Sequence, residues 1–239
     1  MKAVILAGGL GTRLRPLTYS IPKPLLPVGE KPILEIIVNR LKWFGIRQII
    51  LAVGYRRELI EVYFGDGSKF DVEIQYLREE QPLGTAGSLA LVRENRLIED
   101  HETFLVMNGD ILTKLDFEAL RRYHQAGGFE LSVATRCFEY QLPYGVLVTE
   151  ADQIRSIEEK PKTTYQISAG IYMVQGSVLA EVPANTYFGM PDLIKSLLQQ
   201  KRRVGAYLFD GYWLAVEQLH HIEEAQHDMT KWLDEEELT

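Results

Sequence analysis

The chain has 239 residues, with 26 Lys and Arg against 33 Asp and Glu, a net charge of −7 and a single cysteine, Cys137. That length suits one large α/β domain, and 46% hydrophobic with 25% charged residues is the balance of an ordinary globular protein. The acidic balance argues against a broad nucleic-acid footprint, one cysteine excludes a disulfide framework or a cysteine metal site, and no apolar run reaches the roughly 18 residues that would span a membrane.

The first element is an apolar run, Ala3 to Ala7, that leads straight into Gly8, Gly9, Leu10, Gly11, Thr12 and Arg13. Short, unbroken and followed at once by glycines, it reads as a buried parallel strand. Glycines let backbone N–H groups approach a ligand, and successive N–H groups in such a turn form an anion-binding concavity. Arg13, and Lys23 between Pro22 and Pro24, add two cations beside it. Spacing excludes two commoner glycine loops. No Lys-Ser/Thr follows the glycines, and counting from Gly9 the third glycine of G-x-G-x-x-G falls on Leu14. A tight turn with no ligand is the bland alternative. A strand-length apolar run after one Lys is unlike a signal peptide, so a cytoplasmic location is expected.

Helical spacing predicts a helix over 31–45, ending near Gly45. A strand over 47–55, a short helix ending at Gly65 or Gly67, and an alternating strand over 71–77 follow. The glycine-bearing loop 79–84 feeds a helix with Thr85 as the expected N-cap. A buried strand, 103–110, ends in Asp110. A helix over 116–127 and a strand over 130–138 complete the first half, with Cys137 expected as a small packing residue. Strand and helix alternating in this way predict a mostly parallel sheet with helices on both faces. Beyond Tyr140 the rhythm changes. Two strands joined at Ala151–Asp152 are expected, then a strand over 168–175, helices over 177–182 and 190–200, a strand over 203–214 that turns at Asp210–Gly211, and a final helix from Val216. The acidic tail, 234–239, reads as solvated or frayed. Ligands are expected at the C-terminal edge of the strands.

Asp110, at the end of a buried strand, is a natural oxygen donor to Mg²⁺, or equally a cap or turn residue. Glu158, Glu159 and Lys160 read either as solvated surface or as groups for sugar hydroxyls and phosphate. Gly145 would let a hydroxyl approach the backbone, and Gly84 a flat base. The five histidines lack metal spacing, and His220–His221 reads as structural. No nucleophile–base motif is present, so glycines, cations and carboxylates point to phosphoryl or nucleotidyl transfer without a covalent step.

These motifs resemble the sugar-1-phosphate nucleotidylyltransferases, which make NDP-sugars. LAGGLGTRLRPLT (6–18) and PKPLLPV (22–28) match the family's opening, and PLGTAGSL, NGD, YGV, EEKP, AGIY and MPDLI follow in family order over nearly the whole chain. The resemblance implies a Rossmann-like α/β fold, with a nucleotide-binding half (1–138) and a sugar-binding cap (139–239) in a single domain. It implies that Leu6 and Ala7 bind the nucleotide, that Gly8, Gly9, Gly11, Thr12 and Arg13 hold its triphosphate, with Arg13 toward the leaving pyrophosphate, and that Lys23 contacts the α-phosphate. Glu80, Gln81 and Gly84 would lie near the base, and Asp110 would bind Mg²⁺. Gly145, Glu159, Lys160, Ser168 and Gly170 would hold the sugar phosphate. Arg13, Lys23 and Asp110 are the implied catalytic set. The substrates would be an NTP and a sugar 1-phosphate, with guanylyl transfer favoured and with a homo-oligomer allowed for, since relatives often assemble.

Two positions depart from the family pattern. W-L-D-[IV]-G, whose Asp is the second metal carboxylate, reads Trp213-Leu214-Ala215-Val216-Glu217 here, and the Asn before AGIY is Ser168. Ala215 opens an alternative: a catalytically weakened relative that binds nucleotide or sugar phosphate as a sensor or partner subunit. A transferase acting on a non-sugar phosphate such as phosphocholine also fits. The short form resembles mannose- or heptose-1-phosphate guanylyltransferases.

Overall fold

The computed structural model describes residues 1–236, with side chains described to residue 228. A seven-stranded sheet organises them. It contains β1 (Lys2–Ala7), β4 (Gln48–Val53), β5 (Glu73–Arg78), β6 (Thr103–Asn108), β8 (Leu131–Gln141), β11 (Lys162–Gln175) and β12 (Val204–Leu208). Across the sheet the order is β12-β8-β11-β6-β1-β4-β5, and every neighbouring pair is parallel except the two made by β11. Two-stranded pairs supply the rest: β2 (Pro27–Val28) with β3 (Lys31–Pro32), β7 (Ile111–Thr113) with β13 (Trp213–Ala215), and β9 (Val146–Glu150) with β10 (Gln153–Glu158).

The interior strand β1 shows why the sheet is covered on both faces. Ala3, Ile5 and Ala7 join one core and Val4 the other, because successive side chains of a strand project to opposite sides. The first core receives α1 (Ile33–Trp43), α2 (Arg57–Phe64), α4 (Phe117–Ala126) and α6 (Leu219–Glu236) through Leu34, Ile60, Phe117 and Ala225. The second receives α3 (Gly84–Glu94) and α5 (Met190–Gln199) through Leu89 and Leu193. Each such aliphatic or aromatic side chain contributes about 1.5–3 kcal/mol on burial. The sheet draws on both halves of the chain, since β11 and β12 pair beside strands from the first half. No described helix is long and apolar enough to cross a membrane.

Several local expectations are corrected. Cys137 is exposed rather than packed. The second half of β8 outruns the sheet and pairs only with the first half of β11, making a ribbon that projects from it with the β9–β10 hairpin at its tip. Thr85 is not a cap. Helix α3 begins at Gly84, and the Thr85 hydroxyl accepts the Met190 backbone N–H at 2.9 Å. Residues 176–181 form a tighter 3₁₀ helix in place of an α-helix. The expected strand 203–214 splits between two sheets as β12 and β13, because the chain turns between them at Asp210–Gly211. The last helix starts at Leu219, where His221 Nδ1 accepts the backbone N–H groups of Glu217 (3.0 Å) and Gln218 (3.3 Å), a structural use of that histidine. The final three residues of the acidic tail lie outside the described residues.

His124 of α4 gives the fold a pH dependence. It is buried, with Nδ1 2.9 Å from the Ser132 hydroxyl and Nε2 buried without a partner, and burial holds its pKa below the ordinary histidine value. Above about pH 6.5, the pKa of an unfolded histidine, it is neutral in both states and costs nothing. Below that pH the unfolded chain takes up the proton first, so stability should fall progressively toward and through the lowered folded pKa. Thermal unfolding midpoints between pH 8 and pH 5 should show this decline, and His124→Asn should flatten it. An equal slope in the variant would remove His124 as the cause.

Candidate active site

A cavity of about 310 Å³ opens at the C-terminal ends of the parallel strands. It lies where β1 borders β6 on one side and β4 on the other, the point at which strand order reverses and a crevice must form. Leu6, Ala7, Gly8, Gly9 and Gly11 line it from β1 and the glycine loop, and Asn108, Gly109 and Asp110 from the end of β6. Lys23, Pro24, Glu79, Pro82, Gly84, Thr85 and Tyr187 complete the wall.

The glycine loop is shaped by its own carbonyls and by Gly11. Gly11 has φ +61°, and a Cβ there would fall 2.9 Å from Thr18 Cγ2 and 3.2 Å from Lys23 Cβ. A side chain at this position would push Lys23 away, so the loop and the Lys23 turn are packed as one piece. The Gly11 carbonyl accepts the Leu14 N–H at 2.9 Å and the Thr18 hydroxyl at 2.8 Å. Thr12 and Arg13 follow in a 3₁₀ turn over Thr12–Leu14 and are exposed. Lys23 starts a second such turn, Lys23–Leu25, with prolines on either side that fix its backbone.

Across the crevice the Lys23 ammonium pairs with Asp110 Oδ2. Both side chains are largely buried, 15% and 23% exposed. Gly109 N–H donates to the Leu6 carbonyl at 2.8 Å, which carries β6 past its last residue and sets Asp110 beside β1. Asp110 Oδ1 and Asn108 Oδ1 are both buried and have no hydrogen-bond partner among the described residues. Two buried oxygen acceptors without a partner, on residues that line the cleft, suit a hard divalent cation, which takes carboxylate and amide oxygens. These two residues therefore fit such an ion. Outside the cavity's inner wall, Arg13 Nη1 donates to Glu217 Oε2 at 2.6 Å.

Of the residues expected near a base, Gly84 lines this cavity and Glu80 and Gln81 do not. They line an adjoining cleft of about 310 Å³ with Arg57 and Tyr55, and Glu80 is paired with Arg57 at 3.1 Å. Glu79 borders both clefts, lying against Gly8. Burial pushes its carboxyl above the usual carboxylate pKa, and the Leu83 N–H donated to it at 3.4 Å opposes the shift. Sequence reasoning passed over Glu79 by one position. The signal was present, since β5 ends at Arg78 and the next residue is the first free to turn into the strand-end crevice. Tyr187 precedes α5 and had no signal at all.

The expected sugar-phosphate residues divide into two groups. Gly170 packs against Ile111 and against Asn108, a cavity residue, and Ser168 sits nearby, its hydroxyl 3.1 Å from the Tyr172 hydroxyl and 3.3 Å from the Gly170 N–H, though neither lines the cavity itself. Gly145, Glu159 and Lys160 belong to the projecting ribbon, with the Glu159 carboxylate beside Gly145. None of these three lines the cavity. The ribbon nonetheless leaves the sheet at the cavity's edge, because β8 runs in the same direction as β6. Ala215 pairs with Ile111 in β13–β7, and Val216 N–H donates to the Asp110 carbonyl at 2.9 Å, so the segment that lacks the expected aspartate passes directly beside Asp110.

Comparison with known proteins places this arrangement among relatives. A model of the nucleotidyl transferase family matches residues 2–232. A mannose-1-phosphate guanyltransferase of Schizosaccharomyces pombe is 37% identical over 224 residues, 91% of this chain and 61% of that protein. A probable mannose-1-phosphate guanylyltransferase 1 of Oryza sativa subsp. japonica is 38% identical over 187 residues, 76% of this chain and 52% of that protein. The chain thus spans between half and three-fifths of the length of these curated relatives. Among solved structures, HddC from Yersinia pseudotuberculosis superimposes with a TM-score of 0.75 at 26% identity, covering 95% of this chain and 99% of that one.

Proposed function

Because the chain belongs to the nucleotidyl transferase family, we propose that it transfers a nucleotidyl group, guanylyl by preference, from an NTP to a sugar 1-phosphate. A phosphate oxygen of the sugar phosphate attacks the α-phosphorus, that P–O bond forms as the bond to the leaving group breaks, and pyrophosphate departs with the NDP-sugar as product. The observation that carries the reading is the pairing of Lys23 with Asp110 across the crevice, beside a glycine loop, with unpartnered acceptor oxygens on Asp110 and Asn108. Bringing two polyanions together is the main barrier, so fixed cations that neutralise developing charge contribute most to the rate.

The glycine loop, Gly8 to Thr12, cradles the triphosphate, and Arg13 turns toward the leaving pyrophosphate. Lys23 meets the α-phosphate from a proline-fixed turn. Asp110, with Asn108 beside it, would hold Mg²⁺, which when bound screens phosphate charge and polarises the reacting phosphoryl group. The ribbon carries Gly145, Glu159 and Lys160 to the sugar phosphate, and Ser168 and Gly170 support its base. The second half of the chain is thereby the sugar-binding half, and the first the nucleotide-binding half. Pyrophosphate release measured over a matrix of NTPs and sugar 1-phosphates with Mg²⁺ tests the reading, and silence across the whole matrix would overturn it.

The preference for guanine rests on the curated relatives' names and on Glu79. A carboxylate accepts well from the adjacent N1–H and N2–H₂ donors of guanine, while adenine presents an acceptor at N1. Glu79→Gln should lower kcat/KM for GTP by about 10–100-fold, roughly 1.5–3 kcal/mol for hydrogen bonds to a charged acceptor, with a smaller effect on other NTPs. An equal loss for every NTP would remove Glu79 from base selection.

A second reading, a relative that binds these ligands without efficient turnover, is favoured by Ala215 alone. Under it, the matrix would give binding without pyrophosphate release, and Ala215→Asp would restore turnover by about 100-fold or more.

A further inference from the structure

Two cations stand paired with two carboxylates: Lys23 with Asp110 across the crevice, and, outside its inner wall, Arg13 with Glu217 at 2.6 Å. Both cations are the ones that the proposed function gives to the NTP, on which this inference rests. A phosphate can use neither fully while a carboxylate holds it. The two pairs differ in strength. Arg13 and Glu217 are 67% and 44% exposed, and an exposed ion pair is weak and readily exchanged. Lys23 and Asp110 are mostly buried.

Glu217 also occupies an informative position. It stands two residues beyond Ala215, where relatives with the W-L-D-[IV]-G pattern have glycine. Strand β13 ends at Ala215, and Glu217 lies in the short connection between it and the last helix, with its N–H donated to His221 Nδ1. Val216 N–H is bonded to the Asp110 carbonyl, which places the Glu217 backbone one residue away from Asp110. The longer Glu side chain offsets that displacement, and the bare Asp110 Oδ1 marks where an oxygen-seeking cation would sit.

We propose that Glu217 is a positioning residue that parks Arg13 before nucleotide binds and, when the triphosphate draws Arg13 away, supplies the carboxylate that Ala215 lacks. The arriving nucleotide exchanges partners: cations pass to phosphate oxygens, and the released carboxylates become free for a divalent cation. Nucleotide and cation binding are then coupled, and by linkage each strengthens the other. No proton or covalent bond changes hands in the exchange. The departure from the family pattern is in this account a relocation of the acid by two residues.

The test uses Mn²⁺ as the probe, with the fraction bound to the full chain read by electron paramagnetic resonance. In the nucleotide-free protein, Arg13→Gln frees Glu217 and should tighten Mn²⁺ binding by about fivefold or more, while Arg13→Gln with Glu217→Gln should return it to the starting value. No change in the single variant overturns the proposal. So does a gain that survives in the double variant, because it would report only the loss of a nearby positive charge. This arm needs no NTP or sugar, so its failure is separate from failure of the proposed reaction, which silence in the substrate matrix reports. In turnover, Glu217→Gln should lower kcat by about tenfold or more with KM for the NTP unchanged or reduced, and adding Ala215→Asp should recover kcat. A rise in KM with unchanged kcat would show that Glu217 serves only to shape the loop.

Discussion

Asp110→Asn should lower kcat for nucleotidyl transfer by about 10²–10⁴-fold, or about 3–5 kcal/mol of barrier, while leaving KM for the NTP equal or smaller. The substitution keeps the size of the side chain and removes its charge. Asp110 meets Lys23 through Oδ2 and leaves Oδ1 buried and bare, so its charge is concentrated where cation and α-phosphate would converge. A carboxylate beside a triphosphate repels it in the ground state, which is why losing the charge should not weaken nucleotide binding. On the proposed function its benefit would come through a cation held there, which would stabilise the transition state. Steady-state kinetics with a thermal unfolding control separates this from misfolding. A kcat within about threefold of the parent would take Asp110 out of the reaction.

Lys23→Ala should reduce kcat/KM by about 10³-fold, near 4 kcal/mol. Two effects are expected: the cation that the proposed function gives to the α-phosphate is lost, and Asp110 is left without its counter-ion in a partly buried place. The second effect predicts a fall in folding stability of about 1–3 kcal/mol, the usual cost of leaving a buried polar group unsatisfied. Lys23→Arg should rescue little. Its backbone is fixed by Pro22 and Pro24, and the planar guanidinium needs an approach different from that of a compact ammonium. Denaturant unfolding and kinetics on both variants check the two effects independently. Full activity in Lys23→Arg would show that a positive charge alone suffices. Near-normal turnover in Lys23→Ala would remove the assigned role.

The N-terminal strand and the glycine loop after it are legible because an unbroken apolar run followed at once by glycines marks the end of a buried strand, and both signals are local. The same holds for Asp110, whose strand is apolar on both faces up to its last residues, and for the helices of the first half, which kept their expected places within a few residues. The ribbon was less legible. Its strands were expected, but period-two alternation marks a strand without saying which strand it pairs with or whether the sheet continues beneath it. Cys137 therefore looked like packing and proved exposed. Glu79 lines the strand-end cavity while its neighbours Glu80 and Gln81 line only the adjoining cleft, a difference hidden in the sequence because three polar residues in a loop look alike until the turn's direction is known. Thr85 looked like a cap because Thr is a common one, yet its hydroxyl is used by Met190, a residue 105 positions away.

By itself, then, the chain determined an alternating α/β sheet, a glycine loop at its first strand end, two cations beside that loop and an acid at another strand end. All are set by short-range periodicity and by residue chemistry within a few positions. Only the tertiary structure decided which carboxylate meets which cation. Lys23 with Asp110 and Arg13 with Glu217 join residues 87 and 204 positions apart, and such pairings follow from strand order in the sheet, which no local pattern encodes. The alanine at 215 was plain in the sequence. That a glutamate two residues later already sits on Arg13 was visible only once β13 had been laid beside β7 and the segment after it beside Asp110.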